Sequence, residues 1–308
     1  MKELEAIIRE SIHVSSEDFL QIIDKADRIV SDELKGLGRL NVTGRLVHLP
    51  PKGEAIVIGD IHGDLTSLEY ILKDSEFMRK ALSKRDVYLI FLGDYGDRGI
   101  RSPEVYYVVL NLKILFPERV LLLQGNHEGP SDLLAYPHDL PHHLRIRFGD
   151  DWRRIYDKLS SLFRKFHTAT IVNGSCLMLH GGVPSEAKGV DDLAYAYQKH
   201  PYESHLEEIL WSDPEEGIKG TFPSPRGAGK IFGEDVTLKF LNMLGVKLLI
   251  RGHEPANDGY KINHKGRILT LFSRKGSPYY NLHGSYLMFD LNRKIDSAWD
   301  LEEFVRRF

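Results

Sequence analysis

The stretch GDIHGD, residues 59 to 64, decides how this sequence is interpreted, because two later segments repeat its pattern. These segments are GDYGDRG at 93 to 99 and GNHE at 125 to 128. In each case an apolar run ends at a glycine, and a side chain that can bind a metal or a proton follows at once. Continuous apolar runs of this kind are typical of strands covered on both faces. The pattern therefore predicts buried strands with polar residues at their ends.

Composition places the chain among ordinary globular proteins. The 41 Lys and Arg residues nearly balance the 44 Asp and Glu residues, so the net charge of −3 gives no strong attraction to nucleic acid or to an anionic membrane. The single cysteine, Cys176, excludes an intramolecular disulfide and fits a reducing compartment. The longest apolar runs have about six residues, against the roughly 20 that a membrane helix needs. We therefore expect a cytoplasmic protein with no nucleic-acid or membrane partner.

The N-terminal region has the apolar spacing of a helix. Residues 1–36 repeat apolar side chains with helical periodicity, and Ser15 or Ser16 is a suitable cap. We expect residues 1–45 to form a helical extension packed on the core, with a regulatory protein as an alternative partner for it. Residues 46–308 are predicted to form a single α/β domain.

Helix and strand signals alternate through that domain. Residues 129–149 are rich in proline and histidine and are predicted as a loop near the site, whereas 150–167 and 191–210 are predicted as helices. The segments ATIV and SCLML, separated by Asn173 and Gly174, are typical of a hairpin.

Five predicted strands end in residues that bind metals. In open α/β sheets, ligands collect beyond the carboxyl ends of the strands, so these residues are expected to lie together. With a nearby histidine they give six candidate ligands: Asp60, His62, Asp94, Asn126, His180 and His253. The set contains no thiolate, which suits manganese, our first choice, or iron, zinc or cobalt. Because one catalytic ion rarely takes six protein ligands, two divalent ions sharing a carboxylate fit better.

Such a pair of ions favours a phosphate substrate. The two ions outweigh the two carboxylates by about two positive charges, which would attract a phosphate dianion. A metal-bridging hydroxide would attack the phosphorus directly, in line with the leaving group. His127 is the predicted general acid, with Asp97 on its other ring nitrogen. Arg98 and Arg226 provide forked donors for the phosphoryl oxygens.

The order of these motifs resembles that of a known family. Over about residues 50 to 290 the sequence is similar to the phosphoprotein phosphatases, the serine/threonine class of the calcineurin-like metallophosphoesterases. The shared motifs are GDIHG, GDYxDRG, GNHE, HGG, LWSDP, the Arg-Gly pair at 226–227, RGH and LFS. The resemblance implies a central β-sandwich of two mixed sheets flanked by helices. It also implies a phosphoprotein or phosphopeptide as substrate.

The resemblance further implies a role for each site residue. The first metal would be held by Asp60, His62 and Asp94. The second would be held by Asp94, Asn126, His180 and His253, so that Asp94 is the bridge. The family's acid pair matches His127 and Asp97, and its phosphate contacts match Arg98, Arg226 and Asn126.

Some residues depart from the family pattern or allow two interpretations. Asp64 stands where the family usually has glutamine. Either Tyr279 or Tyr280 takes the place of the tyrosine that the family positions over the site. Asp213 either contacts the site or belongs to a turn that ends a helix. The histidines of the 129–149 segment suggest a solvated loop and not a second metal centre, since prolines interrupt them.

Three functions from different classes remain open on the sequence alone. The full set of motifs favours a metal-dependent protein serine/threonine phosphatase. A dinucleoside polyphosphate hydrolase of the same superfamily shares the first three motifs. A non-catalytic binding module on a phosphatase scaffold is the third, and the complete set of ligand, acid and arginine residues argues against it.

Overall fold

Two β-sheets pack face to face at the centre of the computed structural model, which describes residues 2–308. The strands are β1 (Asn41–Thr43), β2 (Leu46–Leu49), β3 (Glu54–Ile58), β4 (Val87–Phe91), β5 (Val120–Leu122), β6 (Ala169–Val172), β7 (Cys176–Leu179), β8 (Asp213–Pro214), β9 (Thr221–Pro223), β10 (Lys230–Phe232), β11 (Leu248–Arg251), β12 (Tyr260–Asn263), β13 (Ile268–Leu271), β14 (Ser285–Asp290) and β15 (Val305–Arg307).

Helices cover the outer faces of both sheets. They are α1 (Lys2–His13), α2 (Ser16–Leu34), α3 (Leu65–Asp74), α4 (Phe77–Leu82), α5 (Ser102–Leu115), α6 (Leu140–Phe148), α7 (Trp152–Phe163), α8 (Val190–Ala194), α9 (Ala196–Lys199), α10 (His205–Trp211) and α11 (Glu234–Leu244). Short 3-10 helices lie at Asn126–Glu128, Gly149–Asp151, His264–Gly266 and Ala298–Phe304. Within residues 2–308, none of the helices is both long enough and apolar enough to cross a membrane.

Both large sheets mix parallel and antiparallel pairs. The seven-stranded sheet has the order β1-β2-β6-β7-β11-β13-β12, and the five-stranded sheet has the order β15-β14-β3-β4-β5. The strands β3, β4 and β5 are parallel neighbours, whereas β14 runs antiparallel to β3. A small third sheet joins β8, β10 and β9. The predicted sandwich of two mixed sheets flanked by helices is confirmed.

Alternating side chains divide the apolar core into layers. Val57 of β3 and Ile250 of β11 point into the layer between the two sheets. Ile56 and Ile58 point the other way, toward the helices that cover the five-stranded sheet, and Leu249 points toward the helices on the opposite side. Successive residues of a strand face opposite sides, so a strand packed on both faces must be apolar throughout. This explains the continuous apolar runs before each motif.

The N-terminal residues form two helices instead of the single predicted one. Val14 and Ser15 lie between them, and Ser15 caps α2 by accepting a hydrogen bond from the Asp18 amide at 3.1 Å. The buried side chains of Phe19 and Ile23 share a core with α5 and α7. The predicted boundary after residue 45 falls at the turn between the paired strands β1 and β2, and the division into extension and catalytic domain stays a prediction.

A buried charge cluster fixes α2 to this core. Lys113 Nζ donates to Glu33 Oε1 at 2.5 Å and to the carbonyl oxygens of Pro117 and Val120 at 2.9 and 2.8 Å. His167 Nε2 lies 3.2 Å from the other Glu33 oxygen. Burial opposes the charge on Glu33, but the contacts with His167 and Lys113 outweigh it and hold the pKa of Glu33 below its usual value.

We expect the Lys113→Met variant to lose about 3 to 5 kcal/mol of unfolding free energy, because it leaves the Glu33 carboxylate buried without its cation. Urea denaturation at neutral pH measures this loss. Lys35→Met is the matched control, since the Lys35 side chain is 66% exposed. A Lys113→Met variant within about 1 kcal/mol of the wild type would contradict the role of this cluster.

Two sequence predictions of secondary structure are wrong. The segment 129–149 is not entirely loop, because α6 begins at Leu140, whose amide donates to Asp97 Oδ1 at 2.6 Å. That partner is 43 residues away in sequence, so no local pattern reveals it. The predicted helix over 191–210 is broken into α8, α9 and α10, and Pro201 lies in the gap before α10 because proline cannot continue a helix.

Candidate active site

Six side chains converge where the carboxyl ends of the two sheets meet. Four follow the adjacent parallel strands β3, β4 and β5, two of them after β3, and the other two follow β7 and β11, which are adjacent in the other sheet. Each of the six is at most 5% exposed. They are Asp60, His62, Asp94, Asn126, His180 and His253. The structure therefore brings together all six candidate ligands.

The backbone at these strand ends is strained. His62, Asp94 and His253 have φ values of 46°, 55° and 71°, in the left-handed region that favours glycine. Each such residue costs on the order of 1–3 kcal/mol, and the surrounding packing must offset this. Gly252 is required here, because a Cβ atom at this position would collide with Asp60 Oδ1. The fold thus holds these side chains in orientations that an ordinary turn would not give.

The donor atoms form two groups on either side of Asp94. Asp94 Oδ2 lies 3.5 Å from His62 Nε2, which is itself 3.7 Å from Asp60 Oδ2. Asp94 Oδ1 lies 3.4 Å from His180 Nε2, which is 3.1 Å from His253 Nδ1 and from Asn126 Oδ1. Asp94 therefore presents one oxygen to each group.

Hydrogen bonds fix which imidazole nitrogen faces the centre. His62 Nδ1 donates to the Gly96 carbonyl at 2.9 Å, and His180 Nδ1 donates to the Leu92 carbonyl at 3.0 Å. Each Nε2 atom is therefore unprotonated, and its lone pair faces the cluster of candidate ligands. The Asn126 amide can present its oxygen to the same centre or, after rotation, its N–H groups to Asp94 and His180.

The electrostatics of this cluster fit a bound cation. Burial raises the pKa of Asp60 to about 7, and burial with the neighbouring Asp60 charge raises the pKa of Asp94 well above its usual value. Burial also lowers the pKa values of His62, His180 and His253. Within residues 2–308, Asp60 Oδ2 and His253 Nε2 are buried without a hydrogen-bond partner. Unpartnered buried acceptors are costly, and a divalent cation would stabilise them.

The predicted acid pair lies beside this cluster. His127 Nδ1 is 2.6 Å from Asp97 Oδ2, and both side chains are buried. Burial opposes the Asp97 charge, but hydrogen bonds with His127 and His138 outweigh it and hold the pKa of Asp97 well below its usual value. Asp97 therefore stays ionised and orients the His127 ring.

The two predicted arginines border one open cavity of about 620 Å³, which also exposes His62, Asp94 and His127. The Arg98 guanidinium donates to the carbonyl oxygens of Pro137 and Tyr136, at 3.0 and 3.4 Å. Arg226 Nε donates to Asp213 Oδ2 at 2.5 Å. Two forked cations that border the same cavity as the candidate metal ligands suit a phosphoryl group.

A family model described as calcineurin-like phosphoesterase matches residues 55–257, which contain all six converging side chains. The chain belongs to the calcineurin-like phosphoesterase family. Its similarity to the phosphoprotein phosphatases within that family is confirmed by two curated relatives.

The first relative is a probable serine/threonine-protein phosphatase of Encephalitozoon cuniculi, 37% identical over 264 residues. The match covers 84% of this chain and 54% of the relative, so the chain spans about half of that protein's length. The second is a protein phosphatase 2A catalytic subunit of Dictyostelium discoideum, 30% identical over 248 residues, with 78% of this chain and 74% of the relative covered.

Solved structures show the same phosphoesterase fold. A Saccharomyces cerevisiae serine/threonine phosphatase, described as similar to human phosphatase PP5, matches with a TM-score of 0.74 at 24% identity, covering 96% of this chain and 89% of that one. A cold-active protein-tyrosine phosphatase of a psychrophilic Shewanella matches with a TM-score of 0.55 at 16% identity, covering 80% of this chain and 78% of that one.

Sequence reasoning missed two buried residues that hold the phosphoesterase motifs together. Glu128 accepts hydrogen bonds from the amides of Asp94 and Tyr95, at 2.9 and 3.1 Å, and thereby fixes the GDYGDRG turn. Arg251 is fully buried and donates to the Gly181 carbonyl at 2.5 Å and to Asp213 at 2.9 Å. Glu128 belongs to the GNHE motif and Arg251 to the RGH motif. Membership of these motifs is the sequence feature from which their importance could have been predicted.

The structure also shows where the residues lie for which the sequence allowed two interpretations or departed from the family pattern. Tyr279 borders the cavity and stacks on His62 at 5.6 Å between ring centroids, whereas Tyr280 is 77% exposed. Burial raises the pKa of Tyr279 to about 12, so its hydroxyl is neutral at neutral pH. Asp64 caps α3 by accepting from the Ser67 amide at 3.1 Å. Asp213, by contrast, lies beside the site through its contact with Arg226.

The histidine-rich segment is only partly the solvated loop that the sequence indicated. His142 is exposed, but His138 is largely buried and lies 2.8 Å from Asp97 Oδ2. No group of converging metal-ligand atoms within residues 2–308 includes either histidine. The contact of His138 with the acid pair depends on folding, and nothing in the sequence pattern predicts it.

Proposed function

We propose that this chain is a metal-dependent phosphatase that hydrolyses phosphoserine and phosphothreonine in proteins. One observation carries the proposal: four of the six candidate metal ligands, the histidine of the His127–Asp97 pair and both arginines border the same cavity. The names of both curated relatives support a protein substrate.

The ligand geometry supports two divalent ions bridged by Asp94. The first would be held by Asp60, His62 and Asp94. The second would be held by Asp94, Asn126, His180 and His253. Such ions, when bound, supply an acidified water as nucleophile and neutralise the phosphoryl oxygens. Manganese is our first choice, since the nitrogen and oxygen ligands accept it, and iron, zinc or cobalt suit the same ligands.

Phosphate binding and protonation of the leaving group are assigned to side chains of the protein. Arg98, Arg226 and the Asn126 amide would bind and orient the phosphoryl oxygens, which need donors on several sides. His127 turns Nδ1 to Asp97, so its Nε2 atom is the one free to protonate the leaving alkoxide. Asp97, kept ionised, would stabilise the imidazolium form of His127 before the proton is transferred.

A cytoplasmic site of action is part of the proposal. The thiol of Cys176 is fully buried in β7, and burial raises its pKa to about 12. A neutral, fully buried thiol is a small core residue and not a nucleophile.

A substrate panel tests the proposal. The purified full chain is assayed with phosphoserine, phosphothreonine and phosphotyrosine peptides, p-nitrophenyl phosphate and diadenosine tetraphosphate, each with manganese, iron, zinc or cobalt and with a chelator. We expect hydrolysis of the phosphoserine and phosphothreonine peptides that the chelator abolishes. A higher kcat/KM for diadenosine tetraphosphate would support the dinucleotide hydrolase instead, and inactivity on every substrate would support the binding module.

We expect Arg226→Ala to weaken inhibition by inorganic phosphate by about tenfold or more, because a charge-assisted hydrogen bond contributes about 1.5 to 3 kcal/mol. Asp213 keeps its contact with Arg251, so the variant should remain folded. The inhibition constant is measured in parallel for Arg39→Ala, whose side chain is 84% exposed and which does not border the cavity. An unchanged inhibition constant in Arg226→Ala would remove this residue from the phosphate site.

A further inference from the structure

Asp97 is shared by two histidines. Its Oδ2 atom lies 2.6 Å from His127 Nδ1 and 2.8 Å from His138 Nδ1, and its Oδ1 atom accepts from the Leu140 amide at 2.6 Å. Asp97 is 1% exposed, so no solvent-facing rotamer is available to it without loss of these bonds. Three donors therefore define one orientation of the carboxylate, and two of them come from the segment before and at the start of α6.

A second residue, Tyr156, contacts His138 on the side of the ring opposite Asp97. The Tyr156 hydroxyl lies 2.9 Å from His138 Nε2, and the two rings are 5.5 Å apart between centroids. An ionised carboxylate can only accept a hydrogen bond, so His138 carries a proton on Nδ1 and donates this N–H to Asp97. His138 Nε2 is then the acceptor for the Tyr156 hydroxyl. Tyr156, His138, Asp97 and His127 form one continuous hydrogen-bonded chain.

The same segment also orients the neighbouring arginine. Asp139 Oδ2 accepts from the Arg98 amide at 3.1 Å, and the carbonyl oxygens of Tyr136 and Pro137 accept from its guanidinium. The residues from 136 to 140 thus contact both the acid pair and a proposed phosphate ligand. These contacts hold the acid pair and Arg98 in place, and none of them involves a candidate metal ligand.

We propose that His138 is a positioning residue for proton transfer: by holding Asp97 Oδ2 toward His127, it keeps the His127 ring aligned with the leaving group. The inference rests on the proposed function. It requires that loss of His138 affects mainly those reactions whose leaving group needs a proton, and only while His127 is present.

The kinetic test compares His138→Ala and His138→Asn with His142→Ala, an exposed histidine on α6, in the manganese-loaded full chain. We expect His138→Ala to lower kcat on a phosphoserine peptide about tenfold, with KM and metal content unchanged. On p-nitrophenyl phosphate, whose leaving group needs little protonation, the loss should be under about threefold. His138→Asn keeps an N–H donor and should recover most of the rate, and His142→Ala should match the wild type.

A double-mutant cycle separates positioning from simple support of the loop. In a His127→Gln background, His138→Ala should cost less than about twofold further, because the two residues act as one unit. A tenfold loss in that background, equal losses on both substrates, or no loss at all would overturn the proposal. If His138→Ala does not fold, as judged by its melting curve, Tyr156→Phe replaces it. Tyr156→Phe must then show the same substrate selectivity, and equal losses would again overturn it.

A spectroscopic measurement keeps the test independent of activity. In the metal-free protein, proton NMR should show two strongly downfield imidazole N–H signals from the hydrogen bonds to Asp97. Asp97→Asn should remove or shift both, while His138→Ala should remove one and leave the other. An inactive wild type that still shows both signals would refute the proposed function but not the hydrogen-bonded pair. Absence of the His138 signal would refute the pair itself.

Discussion

The Asp94→Ala variant is expected to lose metal retention and activity together, with kcat on phosphopeptides reduced by at least on the order of 10³-fold. Its two carboxylate oxygens face different ligand groups, at 3.5 Å from His62 Nε2 and 3.4 Å from His180 Nε2. Removal of this one side chain therefore takes a ligand from both proposed metal positions. Elemental analysis after gel filtration, paired with a phosphopeptide assay, measures both losses.

This variant should remain folded. Burial and the Asp60 charge raise the pKa of Asp94 well above its usual value, so the charged form of this carboxylate is disfavoured in the metal-free protein and its removal takes away a repulsion with Asp60. Asp132→Ala is the matched control, because Asp132 borders the same cavity but pairs with His200 at 2.8 Å. An Asp94→Ala protein that still holds two metal ions would show that the bridge assignment is wrong.

The His127→Gln variant is expected to keep its metals but to lose about 10² to 10⁴ in rate on phosphoserine peptides. The reason is chemical: a serine alkoxide is a poor leaving group unless it is protonated, and glutamine cannot donate a proton to it. On p-nitrophenyl phosphate the loss should be much smaller, because that leaving group is stable as an anion. Steady-state kinetics on the two substrates, with metal content measured in parallel, check the prediction.

Equal losses on both substrates would count against the acid role and would favour a role for His127 in holding the phosphoryl group. His127 also lies close to His62 and Asp94, and the three could hold an ion in another arrangement. If the variant lost metal as well as rate, His127 would be a ligand and the acid would have to be sought elsewhere.

The sequence predicted most of the candidate ligands because they lie within a few residues of the end of a buried strand. A strand packed on both faces is a continuous apolar run, so its end is sharp, and a glycine followed by a titratable residue marks it. Asp60, Asp94 and Asn126 were found in this way, and the structure places them after three adjacent strands. Parallel neighbours bring their carboxyl ends to one edge, which is why spacing alone was informative.

The rest depends on contacts between distant parts of the chain. The start of α6 is bound by Asp97, and His138 contacts the same carboxylate from 41 residues away. The spacing of apolar residues along the sequence predicts neither contact. Glu33 illustrates the same limit, because a glutamate in an amphipathic helix is normally solvated but here is buried against Lys113. The break before α10 is different, since Pro201 marks it in the sequence itself.

Metal reconstitution tests the central claim most directly. The full chain is stripped with a chelator, manganese is added back in steps, and both bound metal per chain and hydrolysis of a phosphoserine peptide are followed. We predict no activity in the stripped protein and full activity only when two ions are bound per chain. Full activity at one ion per chain would contradict the binuclear site, and activity that survives the chelator would contradict the metal-dependent phosphatase itself.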